Sequence, residues 1–144
     1  MESHLKHTHL DGAAIKLPDG SPLVAVTLRH DRLDNFWLTL SHELAHIALH
    51  FDGEETAFFD DLDQAGLDVF EGDADRWASD ALIPPESWQA AQLGKRPTTQ
   101  AVHSFADSLR ITPAIPAGRI RKETGNYKLF DGLIGRNKVR RLYA

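Results

Sequence analysis

Two histidines four residues apart, with a glutamate directly after the first, are the residues of this chain best suited to chemistry. His42, Glu43 and His46 form an H-E-x-x-H motif. On a helix, residues at positions i and i+4 lie on the same face, so both imidazoles can bind one metal ion. Glu43 lies beside them, where it can accept a proton from a water on that metal. The motif therefore predicts a metal site with a neighbouring general base.

The residues around this motif have the periodicity of an α-helix that begins near Leu33 and ends near Gly53. Its apolar residues recur every three or four positions and fill one face, nearly opposite the two histidines. Apolar residues also surround the histidines, so we expect the helix to be covered on both sides, with the histidines in a dry cleft. Asp31 and Asp34 are candidate caps of its N-terminus. The alternative is a histidine pair that packs in the core and binds no metal.

A second helix, predicted over residues 69–83, offers acidic side chains as further ligands and ends before Pro84. Glu71 and Asp73 flank its apolar stripe on opposite sides, and either could reach a metal held on the first helix. Asp75 is predicted to point further away. The chain has no cysteine, so disulfides and thiolate ligands are excluded. Histidine and carboxylate therefore remain as the available metal ligands.

The remaining elements predict an α+β fold, in which a small antiparallel N-terminal sheet packs on a mainly helical body. Residues 13–29 predict a β-hairpin with a P-D-G turn, whose second strand is expected to be the better buried. Residues 54–68 are acidic and turn-rich, and we expect a loop anchored by Phe58 and Phe59 rather than a calcium-binding loop. Proline and glycine positions predict shorter helices towards the C-terminus.

Length and composition favour one soluble domain that spans residues 1–144, and the absence of cysteine fits the reducing cytoplasm. The sequence contains no membrane-spanning run and no signal peptide. The net charge of −5 combines −13 in residues 1–93 with +8 in residues 94–144. The basic part is either a solvated surface or a docking face for an acidic partner or nucleic acid. Direct nucleic-acid binding is not expected, because residues 94–144 contain no recognisable helix-turn-helix.

With these segments placed, the chain resembles the ImmA/IrrE family of zinc metallopeptidase-like domains. It is especially similar to the version found C-terminal to a helix-turn-helix in HigA-type antitoxin regulators. The similarity covers most of the chain from about residue 12 onward. It is carried by an ordered set of segments: LRHDRLDNFW at 28–37, HELAH at 42–46 with Leu49-His50, DADRWA at 73–78, LIP at 82–84, ITPAI at 111–115 and Gly118-Arg119.

The resemblance implies a gluzincin-like site, in which zinc is bound by His42, His46 and an acidic residue of the next long helix. By position that residue is Asp73, where the family usually has glutamate, and Glu71 is the alternative. The resemblance also implies that Glu43 is the catalytic general base, which takes a proton as water attacks a peptide carbonyl.

Other side chains are candidates for supporting roles in such a site. Thr39 and His50 could orient the metal ligands. Three residues of the C-terminal part are candidates for stabilising an oxyanion: His103, Arg119 and Tyr127.

Two functions are therefore predicted. The first is a zinc endopeptidase that cleaves a regulatory protein such as a helix-turn-helix repressor, with the substrate added as a strand at the edge of the N-terminal sheet. The alternative is a non-catalytic interaction or antitoxin domain with a toxin as partner, in which the metal is structural or absent. Asp73 and the charge asymmetry favour the alternative, whereas Glu43 favours the enzyme. No helix-turn-helix domain is expected, so the chain is either a stand-alone protein or a fragment of a fused form.

Overall fold

The computed structural model describes residues 10–52, 57–61, 69–95 and 97–143. Within these residues the chain has the predicted α+β architecture, a small antiparallel sheet with a mainly helical body. The elements are, in order, β1 (Leu10–Lys16), β2 (Pro22–Val26), α1 (Leu33–His50), β3 (Ala57–Asp61), α2 (Val69–Leu82), α3 (Pro85–Ala91), α4 (Thr99–Leu109), α5 (Ala114–Thr124) and a short 3-10 turn (Arg140–Leu142).

The predicted hairpin is present, but its first strand is the better buried one. The strand order is β2-β1-β3, and β1 pairs antiparallel with both neighbours. As the central strand, β1 buries Asp11 to Ala14, whereas β2 lies at an edge and is largely exposed. The expectation that the second strand is the better buried is therefore wrong, because a third strand covers β1.

That third strand, β3, lies where a loop was predicted. The acidic residues of this segment favoured a loop, but residues Ala57–Asp61 form a strand. Phe58 is buried in it, as expected for an anchor. Aromatic residues favour strands, and pairing with β1 outweighs the unfavourable aspartates that follow them. The side chain of Phe59 and residues 62–68 lie outside the described part of the chain.

Helix α1 matches the predicted segment and its histidines are buried as expected, but the expectation that its apolar face is also covered is wrong. Its buried face is the polar one that carries His42 and His46, while the apolar side chains of Trp37, Leu44 and Leu49 are 39–46% exposed. The helix is therefore covered mainly on the histidine side, because the sheet and α2 both pack there. Periodicity identified the helix correctly but did not show that its apolar face lies largely outside the core.

The start of α1 is held by the C-terminal segment rather than by a side-chain cap. The N-cap position is Arg32, and no side chain caps the helix there, so the prediction of an aspartate cap is wrong. Asp31 instead accepts hydrogen bonds from the backbone N–H groups of Val139 and Arg140, at 2.9 and 3.1 Å. Asp34 accepts two bonds from the Arg32 guanidinium, at 2.9 and 2.8 Å.

Helices α4 and α5 pack on each other at the apolar core cluster, and α5 also packs against α1. Helix α5 passes close to Asp34 of α1 at Gly118, the residue before Arg119. No described helix is long and apolar enough to cross a membrane. The buried residues of the core cluster are Leu93, Val102, Ala117, Ile120 and Ile134.

Gly118→Ala is expected to lower the free energy of unfolding by about 1–3 kcal/mol, the usual cost of overpacking. A Cβ at position 118 would lie 2.7 Å from the Cβ and 2.9 Å from Oδ2 of Asp34, and the ion pair with Arg32 holds that aspartate in place. Gly72→Ala is the matched control, since it is also helical and has no atom within 4 Å of the new Cβ. It should raise stability by up to about 1 kcal/mol. Urea unfolding of both variants tests this, and equal effects would contradict the close approach.

Candidate metal centre

Packing of α2 along α1 brings a carboxylate against both histidines of the H-E-x-x-H motif. One oxygen of Glu71 lies 2.8 Å from His42 Nε2, and its other oxygen lies 3.1 Å from His46 Nε2. The two Nε2 atoms are themselves 3.1 Å apart. Among the described residues, these three side chains form a group whose ligand atoms all lie within 4.8 Å of one another. The structure thus contains a possible metal-binding triad.

Asp73, the ligand expected from the family resemblance, is not part of this triad. Its side chain is exposed on α2, whereas Glu71 faces α1. Residues two positions apart on a helix are rotated by about 200° around its axis, so Glu71 and Asp73 cannot both face α1. The alternative ligand considered from the sequence, Glu71, is the one that the structure brings to the histidines.

The outer nitrogen of each histidine also has a partner. His42 Nδ1 lies 2.9 Å from Oδ1 of Asp75, and His46 Nδ1 lies 2.9 Å from Nδ1 of His50. A hydrogen bond at Nδ1 fixes the ring and leaves Nε2 directed at a metal. The prediction that Asp75 points away was wrong, because it lies four residues after Glu71 and shares its face. His50 lies where an orienting group is needed, while Thr39 is buried beside β1.

Spacing is the signal that could have identified the acidic pair. The histidines are four residues apart on α1, and Glu71 and Asp75 are four residues apart on α2. Residues four apart lie one turn apart on the same face of a helix, so two helices that pack side by side can bring one such pair against another. Here Glu71 contacts both Nε2 atoms, and Asp75 contacts Nδ1 of His42. The DADRWA segment instead favoured Asp73 as the ligand, by its position in the family resemblance.

Aromatic rings cover the triad on the side of β3. The ring of Phe58 stacks on His46 with centroids 4.4 Å apart and an interplanar angle of 11°. Phe70 meets His50 edge-on at 4.7 Å. His46 is fully buried and His42 is 3% exposed. Few water molecules can therefore compete with the carboxylate for the imidazoles.

Glu43 is fully buried on the side of α1 that faces the central strand. A Cβ at position 12 would lie 2.5 Å from Glu43 Oε1 and 2.8 Å from Thr39 Cγ2. Only glycine therefore allows β1 to approach the helix this closely. The central strand therefore lies directly against the glutamate of the motif.

The three candidates for oxyanion stabilisation are separated by the fold. His103 is exposed on α4. Arg119 and Tyr127 line a cavity of about 420 Å³ between α1, α2 and α5, together with Asp75. This cavity therefore borders the metal triad through the aspartate that contacts His42.

The pKa of Glu71 reflects its position between two imidazoles. Burial raises the pKa, but hydrogen bonds from His42 and His46 and their positive charge outweigh burial and lower it from 4.5 to about 2. Burial also raises the pKa of Asp75, and the bond from His42 and the charge of Lys122 lower it below its usual value. Both carboxylates are therefore ionised, as a metal ligand and its orienting partner must be.

Comparisons of the chain with protein-family models, with curated proteins and with solved structures found no match. The resemblance to the ImmA/IrrE family accordingly rests on the segments of the sequence quoted above.

Glu71→Gln is expected to weaken zinc binding by more than the roughly 10–100-fold that loss of an outer partner costs. Asp73→Asn, two residues away on the same helix, is the matched control and should leave the affinity unchanged. His46→Ala should behave like Glu71→Gln. Competition with a zinc chelator measures the affinities, and a larger loss in Asp73→Asn than in Glu71→Gln would contradict the triad.

In the metal-free protein, Glu71 should make stability depend on acid pH. A carboxylate whose pKa falls from 4.5 to about 2 on folding stabilises the protein above pH 4.5, and this contribution is lost as pH falls towards 2. The difference in unfolding free energy between wild type and Glu71→Gln should therefore shrink over that range. Urea unfolding at several pH values, with chelator present, tests this. A difference that grows towards low pH would contradict it.

Proposed function

We propose that this protein is a zinc-dependent endopeptidase with a gluzincin-like site. The single observation that carries the proposal is the convergence of Glu71 on the two Nε2 atoms of an H-E-x-x-H helix. The buried glutamate of the same motif, Glu43, adds the general base that a hydrolase needs and a structural metal site does not.

The triad fits zinc in ligand type and in spacing. Two imidazole nitrogens that bind zinc tetrahedrally at about 2.0–2.1 Å are roughly 3.3 Å apart, close to the 3.1 Å between the Nε2 atoms of His42 and His46. Three protein ligands leave one coordination position open, as in catalytic rather than structural sites. Zinc bound there would supply a water of lowered pKa and polarise a substrate carbonyl.

The protein side chains have separate tasks in this hydrolysis. Glu43 accepts a proton from the attacking water and delivers it to the leaving amine. That carboxylate lies against Gly12 of β1 and is fully buried. Asp75 and His50 fix the imidazole rings through Nδ1 and keep both Nε2 atoms on the side of Glu71.

The fold offers an extended substrate an outer strand to pair with. In the described sheet β2 and β3 are the outer strands, and β3 is adjacent to the histidines through Phe58. A substrate strand added there would pass beside the triad. By the resemblance to ImmA/IrrE domains, the proposed substrate is a regulatory protein, such as a helix-turn-helix repressor, and the proposed location is the cytoplasm.

Glu43→Gln is expected to lower peptidase activity by about 10²–10⁴-fold, the usual contribution of general acid–base catalysis. Zinc content should not change, since Glu43 is not in the triad. Glu86→Gln, an exposed glutamate on α3, is the matched control. Mass spectrometry of a peptide library incubated with each zinc-loaded protein measures cleavage.

Two outcomes of this experiment would contradict the proposal. Equal cleavage by wild type and Glu43→Gln would show that the activity does not use this site. Wild-type protein that binds zinc and cleaves no peptide would favour the alternative, a non-catalytic interaction domain.

A further inference from the structure

The cavity of about 420 Å³ beside the metal triad has the size of a ligand pocket. It lies between α1, α2 and α5, and one of its walls is Asp75, which contacts His42 at 2.9 Å. None of the residues proposed above to bind zinc or to move protons fills it. The cavity is therefore a second feature of the same region that needs its own explanation.

Positive charge exceeds negative charge in the lining of this cavity. Four cationic and two anionic side chains line it, so its net charge is +2 with His30 neutral. One carboxylate is fully used by the two-bond contact of Arg32 with Asp34. The other, that of Asp75, lies 2.9 Å from His42 and 3.5 Å from Lys122. The remaining charge belongs to two arginines of α5, Arg119 and Arg121.

Both of these arginines are fixed in place and keep an unused donor. Arg119 donates Nε to Glu123 at 2.8 Å and stacks over the Trp88 ring at 4.5 Å, yet its buried Nη1 meets no acceptor within the described residues. Arg121, only 3% exposed, donates Nη1 to the carbonyl of Leu129 at 2.9 Å, and its buried Nε likewise meets no acceptor among them.

These two nitrogens are closed to solvent, so a ligand in the cavity would meet the guanidinium groups through their charge and their other N–H groups. The nearby carboxylates of Glu123 and Asp131 are 45% and 55% exposed, so solvent screens their charge. An oxyanion in the cavity would meet guanidinium groups that are already held in position, and guanidinium is the side chain best matched to carboxylate and phosphate.

The rest of the lining distinguishes between these two anions. Leu38, Leu82, Ile83 and Ile115 give the cavity an apolar wall, which suits the carbon stem of a carboxylic acid. Two negative charges in the lining, on Asp34 and Asp75, oppose a doubly charged phosphate more than a singly charged carboxylate.

We propose that this cavity binds a carboxylate group of a peptide, either an acidic side chain or a free C-terminus, beside the metal triad. That the carboxylate comes from a peptide rests on the proposed peptidase function. Since Asp75 belongs to both the cavity wall and the surroundings of His42, a peptide held there has its acidic group next to the triad. The cavity thus selects substrates by charge.

Binding of capped tripeptides, followed by amide NMR, tests the proposal separately from catalysis. The protein is the Glu43→Gln variant, with and without zinc, so that no cleavage occurs. The probes are acetyl-Ala-Glu-Ala-amide, acetyl-Ala-Gln-Ala-amide and acetyl-Ala-Gln-Ala with a free carboxylate. We expect a saturable shift of the Gly118 and Ile115 amide signals with at least one carboxylate probe, and at least tenfold weaker binding of the neutral probe. The side-chain and C-terminal probes distinguish the two sources of the carboxylate.

Variants locate the binding. Arg119→Gln should weaken binding of the carboxylate probe about tenfold or more, as expected for loss of a charge-assisted hydrogen bond. Lys122→Gln should weaken binding by up to about fivefold, because the charge of a lysine that is 50% exposed is screened by solvent. Since this side chain lies outside the core, the substitution should not affect folding. Arg76→Gln, an exposed arginine of α2 outside the lining, is the matched control and should have no effect.

Several outcomes would overturn the proposal. They are equal binding of the neutral probe, no saturable shift with either carboxylate probe, and tighter binding of inorganic phosphate than of the glutamate peptide. Carboxylate binding in a protein that cleaves nothing supports the cavity and contradicts the proposed peptidase function. Cleavage without preference for acidic peptides contradicts the proposed cavity alone.

Discussion

The structure depends on the burial of the ionisable face of α1. An ionisable side chain is stable away from water only when other protein groups replace the water. The surrounding elements meet this need: α2 contributes carboxylates, β1 makes room with a glycine, and β3 covers the imidazoles with an aromatic ring. The packing of α1 is therefore specified by polar contacts as much as by apolar ones. The ionisable residues buried along this helix are Asp34, His42, Glu43, His46 and His50.

The same constraint explains why the metal triad and the charged cavity are neighbours. Each helix that packs on the buried face of α1 must bring charge of its own, and α2 brings Glu71 and Asp75 while α5 brings arginines and Lys122. Asp75 lies at the junction, within reach of both His42 and Lys122. Side chains fixed by such mutual contacts are already arranged for binding, so a metal or an anion meets a site that needs little rearrangement.

Local patterns in the sequence were enough to predict the helices, the hairpin and the placement of the histidine pair on one helix face. Periodicity located α1 and α2, and proline and glycine located the later helix ends, because these signals act within a few residues. Partner choice was harder. The third strand, the exposure of the apolar face of α1 and the placement of Glu71 rather than Asp73 beside the histidines all depend on contacts between segments far apart in sequence. Of the two cavity arginines, Arg119 was a candidate for binding an oxyanion, but the sequence did not predict Arg121 or the cavity, since a basic α5 is equally compatible with a solvated surface.

The bonds from Asp31 to the backbone of the C-terminal segment have a consequence for the order in which the protein folds. Val139 follows Asp31 by 108 residues, so it leaves the ribosome long after the histidines of α1 and the carboxylates of α2. Contacts of such long sequence separation form late and slow folding, because a large loop must close first. During synthesis, the nascent chain therefore contains all three residues of the triad while the start of α1 still lacks the backbone that will anchor it.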